Sequence, residues 1–163
     1  MMTDAPTDVD AEAAATAFMT ASRALLGMSL RSVAAAPVPL TVPQHRLLVL
    51  VSSDGPRRIG ALADDLGVNQ SNASRLVARL AEQGLVQRVT DPADRRASVV
   101  EATAAGRRVL DAVSDHRLRE ILAVVAAMPP ESWRPAVEVL HEFNSAAHEA
   151  EGAAPSIHDE PDR

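Results

Sequence analysis

A chain of 163 residues can bury a real core as one domain, or as one domain with extensions. Hydrophobic residues make up 47% but aromatics only 2%, with no Tyr, so that core must be built from Leu, Val and Ala, as closely packed helices allow. The absence of cysteine excludes disulfides, thiolate metal sites and thiol redox sensing, and no apolar run approaches the ~20 residues that span a bilayer.

The start, Met1-Met2-Thr3-Asp4, is acidic and lacks the basic opening of a secretory signal, so a soluble cytoplasmic protein with no membrane partner is expected. The net charge of −6 argues against a nucleic-acid partner only until its distribution is read. Residues 57–108 hold nine Arg and six acids, a surplus of three positive charges, while the rest of the chain stands at −9. All 16 basic residues are Arg. Arg suits bidentate phosphate and guanine contacts, although a GC-rich genome would produce the same bias.

Residues 1–8 are polar and expected to be disordered. From Val9 to about Val33 an Ala-rich segment places Phe18, Ala21, Leu25 and Met28 at helical spacing, and Ala36-Pro37-Val38-Pro39 ends it. Thr41 and Pro43, a capping residue and an early-turn proline, open a helix through about Ser52 whose Leu47, Leu48, Leu50 and Val51 face a core. Ser53-Asp54-Gly55-Pro56 is a turn. A short helix from Ile59 to Leu66 stops at Gly67. A second, from about Gln70 to Gln83, carries the apolar stripe Ala73, Leu76, Val77 and Leu80 and ends at Gly84. Two helices around the tight turn Gly67-Val68-Asn69 form a helix-turn-helix.

Past Gly84 the period becomes two. Leu85–Thr90 and Ser98–Thr103 read as strands, joined by the polar loop Asp91-Pro92-Ala93-Asp94-Arg95-Arg96-Ala97: a β-hairpin wing with a charged tip. Thr103 can cap a helix running to about Met128, broken by Pro129-Pro130. A last helix runs from Glu131 to about Ala150 with Val137, Leu140 and Phe143 apolar. From Glu151 an acidic, Pro-containing flexible tail is expected. The fold class is therefore mainly α with a small β-wing, a winged helix-turn-helix flanked by helices at both ends.

With its apolar stripe accounted for, the second helix of the pair offers Ser71, Asn72, Ser74, Arg75 and Arg79 to solvent. These are the residue types that read duplex DNA: Asn pairs with adenine, Arg with guanine or phosphate, Ser with phosphate or either base. The helix N-terminus adds free N–H groups for a phosphate. Spacing alone does not separate this from an ordinary solvated face. Arg95 and Arg96 sit where a hairpin tip projects, suited to a narrow minor groove, with Asp94 placed to orient one guanidinium; a local ion pair on a soluble tip is the plainer account.

In order and spacing, the stretch from Leu40 to Gly106 resembles the MarR family of bacterial regulators. The matching pieces are Leu40-Thr41-Val42-Pro43-Gln44, Ile59-Gly60-Ala61-Leu62-Ala63, Ser71-Asn72-Ala73-Ser74-Arg75-Leu76-Val77, Leu80-Ala81-Glu82-Gln83-Gly84-Leu85-Val86, Asp91-Pro92-Ala93-Asp94-Arg95-Arg96 and Thr103-Ala104-Ala105-Gly106. The resemblance implies an N-terminal dimerisation helix over residues 9–36, a DNA-binding lobe over 37–103 and C-terminal dimerisation helices over 104–150, ahead of the tail at 151–163. It implies that Ser71, Asn72, Ser74 and Arg75 meet the major groove, with Arg79 nearer the backbone. Arg96 would reach the minor groove, held by Asp94, with Arg95 beside it. It further implies a homodimer on an inverted-repeat operator, more commonly a repressor, with a small amphipathic or phenolic effector whose binding residues the sequence does not name. Two departures stand out: His45 where the family often has an aromatic, which bears on a ligand pocket, and Ala102 where a Leu is usual before Thr103.

Two rivals stand beside DNA reading. A metal-responsive regulator would use His116, His141 and His148 with Glu138, Glu142 and Glu149. His141 and His148 lie seven residues or ~10 Å apart along a helix, too far for one ion unaided. Against a winged-helix protein-interaction or RNA-binding module that never reads DNA stand the Arg-bearing wing and the polar outer face of the second helix, and footprinting of two symmetric half-sites separates the two readings. An enzyme is not expected: no nucleophile–base pair, phosphate-cradling loop or metal motif is present, and no cofactor is implied.

Overall fold

The computed structural model describes residues 8–91, 94 and 96–153. In chain order the elements are α1 (Asp8–Ala34), α2 (Val42–Ser53), α3 (Ile59–Leu66), α4 (Gln70–Glu82), β1 (Val86–Thr90), β2 (Ser98–Ala102), α5 (Ala104–Ala126), a single 3₁₀ turn (Pro130–Ser132) and α6 (Trp133–Ala153). The chain divides into two compact units, the first ending at Glu120 and the second beginning at Ile121. The expected order of elements is the observed one. Among the described residues no helix is long and apolar enough to cross a membrane.

Helix ends follow local chemistry. Thr41 caps α2 in a reciprocal box: its hydroxyl accepts from the Gln44 N–H, and Gln44 Oε1 accepts from the Thr41 N–H at 2.8 Å. Gly67 ends α3 at φ 65°, a left-handed conformation that costs a glycine little. Residues 151–153, expected in the tail, belong to α6, which continues through Ala153; nothing before Pro155 forbids a helix. Asp8, expected in the disordered N-terminus, is the first residue of α1. Residues 1–7 and 154–163 lie outside the described residues.

In the first unit, Leu47, Leu48 and Val51 of α2, Leu62 of α3 and Val77 and Leu80 of α4 form one buried cluster with Leu85, Val86, Val100, Ala102 and Val109. Leu76, expected in the stripe of α4, is only half-buried. The strands pair antiparallel from Val86↔Ala102 to Thr90↔Ser98. Arg57 adds a third edge: its N–H donates to Val100 O at 2.9 Å, and its carbonyl accepts from the Val100 N–H at 2.8 Å.

The start of α5 is bolted to the turn before β1. The Thr103 N–H donates to Leu85 O at 3.0 Å, its hydroxyl to Gly84 O at 2.7 Å, and that hydroxyl accepts the Gly106 N–H at 3.1 Å. A Cβ on Gly106 would stand 2.2 Å from Leu85 O, so only glycine permits this approach. Farther along, Arg31 of α1 holds Glu120 of α5 through two hydrogen bonds of 3.0 and 3.2 Å. Arg117 Nε donates to the fully buried Ser32 hydroxyl at 3.3 Å.

The expected apolar positions of α1 divide: Met28 is buried, whereas Leu25 is 46% exposed, and Leu26 and Leu30 are exposed as well. In the second unit Trp133 Nε1 donates to Val125 O at 3.0 Å, and Val137, Leu140 and Phe143 of α6 all remain exposed.

Candidate DNA-reading face

The second helix of the pair, α4, presents its polar residues because its apolar ones are taken by the core. Ala73, Val77 and Leu80 are fully buried, which turns Ser71, Asn72, Arg75 and Arg79 outward and leaves Ser74 half-buried. Asn69 caps the helix, its Oδ1 accepting the Asn72 N–H at 2.9 Å. Reading the sequence placed Asn69 in a turn and missed this cap, although an Asn just before an apolar period is its usual signal.

The structure brings the expected reading residues together in two sets. Arg75 Nη1 donates to Asn72 Oδ1 at 3.1 Å. Both residues, with Arg79, line a hollow of about 300 Å³ against Pro43 and Val68. Ser71 and Ser74 line another of about 420 Å³ with Ile59 and Gln70. Gln70, the first residue of α4, was not singled out from the sequence, yet it is exposed beside Ser71. A third and larger hollow, about 920 Å³, opens between Pro39-Leu40-Thr41 and the Arg75–Arg79 side of α4, with Gln44 and Glu82 also on its wall.

The wing differs from expectation at one acid. Asp94 was expected to hold the guanidinium of Arg96. Instead its Oδ1 accepts the Arg96 main-chain N–H at 3.0 Å, while its Oδ2 lies 3.5 Å from Arg58 Nη2. A short Asp side chain reaches a backbone N–H two residues on more readily than a neighbouring long side chain. Arg96 is exposed, and among the described residues its guanidinium has no ion-pair partner. Arg95 lies outside the described residues. Asp91, at the base of the loop, is buried and accepts from Arg58 Nε and Nη2 at 2.9 and 2.7 Å. That bond, with the charge of Asp91 second, raises the Arg58 pKa. The sequence reading assigned Arg58 no role.

His45, the departure noted in α2, is half-buried; burial first, and then the positive charge of Arg117, lowers its pKa. Of the histidines weighed for metal, His116 lies 3.8 Å from Glu120 and His141 is exposed. The side chains of His148 and Glu149 fall outside those described. Among the described residues no three His, Asp or Glu side chains gather as a metal site.

A polar-faced second helix packed on a short first one, followed at once by a two-stranded wing, defines a winged helix-turn-helix DNA-binding protein. A MarR family profile matches residues 38–97, the lobe that carries these elements. The crystal structure of RV1404 from Mycobacterium tuberculosis is 35% identical, spans 94% of this chain and 100% of its own, and superposes with a TM-score of 0.73. The transcriptional regulator Tm0710 from Thermotoga maritima is 27% identical over 85% of this chain and 99% of its own, with a TM-score of 0.72. The uncharacterized HTH-type transcriptional regulator YfiV of Bacillus subtilis is 24% identical over 111 residues, 68% of this chain and 69% of that protein. The chain belongs to the MarR family: it is a DNA-binding transcriptional regulator and not an enzyme.

Proposed function

We propose that this regulator acts in the cytoplasm as a homodimer, on the nucleoid when bound, and represses transcription from an inverted-repeat operator. The carrying observation is the outward polar face of α4, with Asn72, Arg75 and Arg79 exposed while Ala73, Val77 and Leu80 beneath them are buried. In this reading Ser71, Asn72, Ser74 and Arg75 contact the major groove, Arg79 the backbone, and Arg96 with Arg95 the minor groove. The role of Asp94 is to set the main-chain direction at Arg96.

Dimerisation is supported by large apolar side chains left in solvent on α1 (Leu25, Leu26, Leu30) and, separately, on α6 (Val137, Leu140, Phe143). A two-fold dimer would set its reading helices about 34–36 Å apart, one helical turn of DNA. The large hollow beside Arg75 and Arg79 supports release by a small amphipathic or phenolic ligand, since such a ligand would share a wall with the reading face.

The test is a gel shift on DNA upstream of the protein's own coding region, with random competitor and over a salt series. A competitor-resistant complex of two chains, weakening steeply with salt, supports the reading. Binding no tighter than to random DNA refutes autoregulation. Footprinting then separates an inverted repeat, protected at two symmetric half-sites, from any other mode.

A further inference from the structure

The two residues between the α2 turn and α3 hold the wing by different means. Arg57 does so through its main chain, paired with Val100 as a third edge of the hairpin. Its side chain is spent elsewhere, on Asp65 and, at 2.7 Å, on Asp54. Arg58 does so through its side chain. It occupies the N-cap of α3, where Ser, Thr, Asp or Asn normally accepts an orphan N–H from the first turn. A guanidinium has no acceptor, and no side-chain cap bond forms. The helix end forgoes that stabilisation, and the side chain crosses 33 residues of sequence to the base of the wing loop instead.

There Arg58 meets two carboxylates. Nε and Nη2 converge on Asp91 Oδ2 at 2.9 and 2.7 Å, and Nη2 lies 3.5 Å from Asp94 Oδ2. Asp91 is only 8% exposed, so its charge is shielded from water and leans on this partner. Both acids also shape the loop. The Asp94 N–H donates to Asp91 O at 3.2 Å, the Asp91 N–H to Ala97 O at 3.0 Å, and Asp94 Oδ1 takes the Arg96 N–H. Arg58 is therefore one side chain removed from the main chain of Arg96.

We infer that Arg58, with Asp91 as its partner, is a positioning residue for the wing: the pair fixes the loop so that Arg96 is presented to DNA at a set angle from the helix-turn-helix. This rests on the reading that Arg96 meets DNA. A direct phosphate contact by Arg58 is disfavoured by its surroundings, because a guanidinium flanked by two carboxylates would carry both toward the phosphates. A pair that only stabilised the fold would leave its effect on binding independent of Arg96.

The test is a double-mutant cycle between Arg58→Ala and Arg96→Ala. Affinity is measured by fluorescence anisotropy on a duplex that the wild-type protein selects from a random-sequence pool. Thermal unfolding of every variant is followed in parallel. The isosteric Asp91→Asn is carried alongside in case Arg58→Ala folds poorly. Arg58→Ala and Asp91→Asn are each expected to weaken binding by about three- to tenfold, and Arg58→Lys to recover part of that loss. On the Arg96→Ala background, removing Arg58 should cost less than about twofold. Wild-type affinity in both Arg58→Ala and Asp91→Asn, or a loss that adds in full to that of Arg96→Ala, overturns the positioning role. If Arg96→Ala itself binds as wild type, it is the wing reading that fails, and the positioning role goes with it.

Discussion

Gly106→Ala sets two physical effects of opposite sign against each other. Helix propensity alone favours alanine by up to ~1 kcal/mol, and by less in a first turn. Sterics oppose it: the new Cβ would lie 2.2 Å from Leu85 O and 3.0 Å from Leu48 Cδ1. The Leu48 methyl belongs to a flexible side chain and can give. The carbonyl cannot retreat freely, because it accepts the Thr103 N–H at 3.0 Å. Overpacking of this kind costs ~1–3 kcal/mol, so sterics win and Tm should fall by roughly 3–8 °C. The assay is thermal unfolding by circular dichroism at matched protein concentration, since the Tm of the proposed dimer would depend on it. Gly60→Ala is the control: nothing lies within 4 Å of its added Cβ, so propensity acts unopposed and Tm should hold or rise slightly. A Gly106→Ala Tm at or above wild type would refute the reasoning and show that α5 withdraws from the β1 turn without cost.

The other expectations concern binding and pH. Arg96→Ala should weaken operator binding by about an order of magnitude with the dimer intact by sedimentation; unchanged affinity at physiological salt would remove the wing from recognition. Asn72→Ala and Arg75→Ala should each flatten sequence preference, at ~1–3 kcal/mol of discrimination per base contact; equal losses on random and selected duplexes would reassign them to the backbone. His45 has a lowered pKa in the folded chain, so its contribution to stability is fully present above the ordinary 6.5 and is lost as pH falls through the folded value. Relative to His45→Gln, the wild-type Tm should therefore slip as pH drops from about 8 to about 5, and parallel curves would contradict the assignment.

What the sequence made legible was whatever depends on near neighbours. Ala73, Val77 and Leu80 repeat at helical spacing, so the buried side of α4 could be read, and its polar residues then had to face outward. The Thr41–Gln44 cap and the stop at Gly67 are set within a few residues of one another. Contacts that depend on how elements meet were not legible. Arg57 pairs with Val100 across 43 positions by main chain alone, which leaves no side-chain signal. Arg58 stands at a cap without being a capping residue, and only its absence from that role could have hinted at a distant partner. Leu25 was readable as apolar, but periodicity cannot say whether an apolar face meets its own chain or another; here it is left in solvent. Asp94 was read as a partner for a guanidinium because charge is visible in a sequence, whereas the main-chain turn that claims its Oδ1 is not.

The hydrogen bond between Arg75 and Asn72 also bears on what the unbound helix offers to DNA. Arg75 takes one of the two lone pairs on the Asn72 oxygen, so the other lone pair and the amide N–H groups can still serve a second partner, while Arg75 itself can only donate. On the proposed reading, the resting pair offers donors suited to guanine O6 and N7, thymine O4 or phosphate, and keeps the donor and acceptor that an Asn needs for adenine. An A·T step opposite Asn72 would therefore not require Arg75 to leave first. On that reading the guanidinium holds the amide in one orientation before DNA arrives.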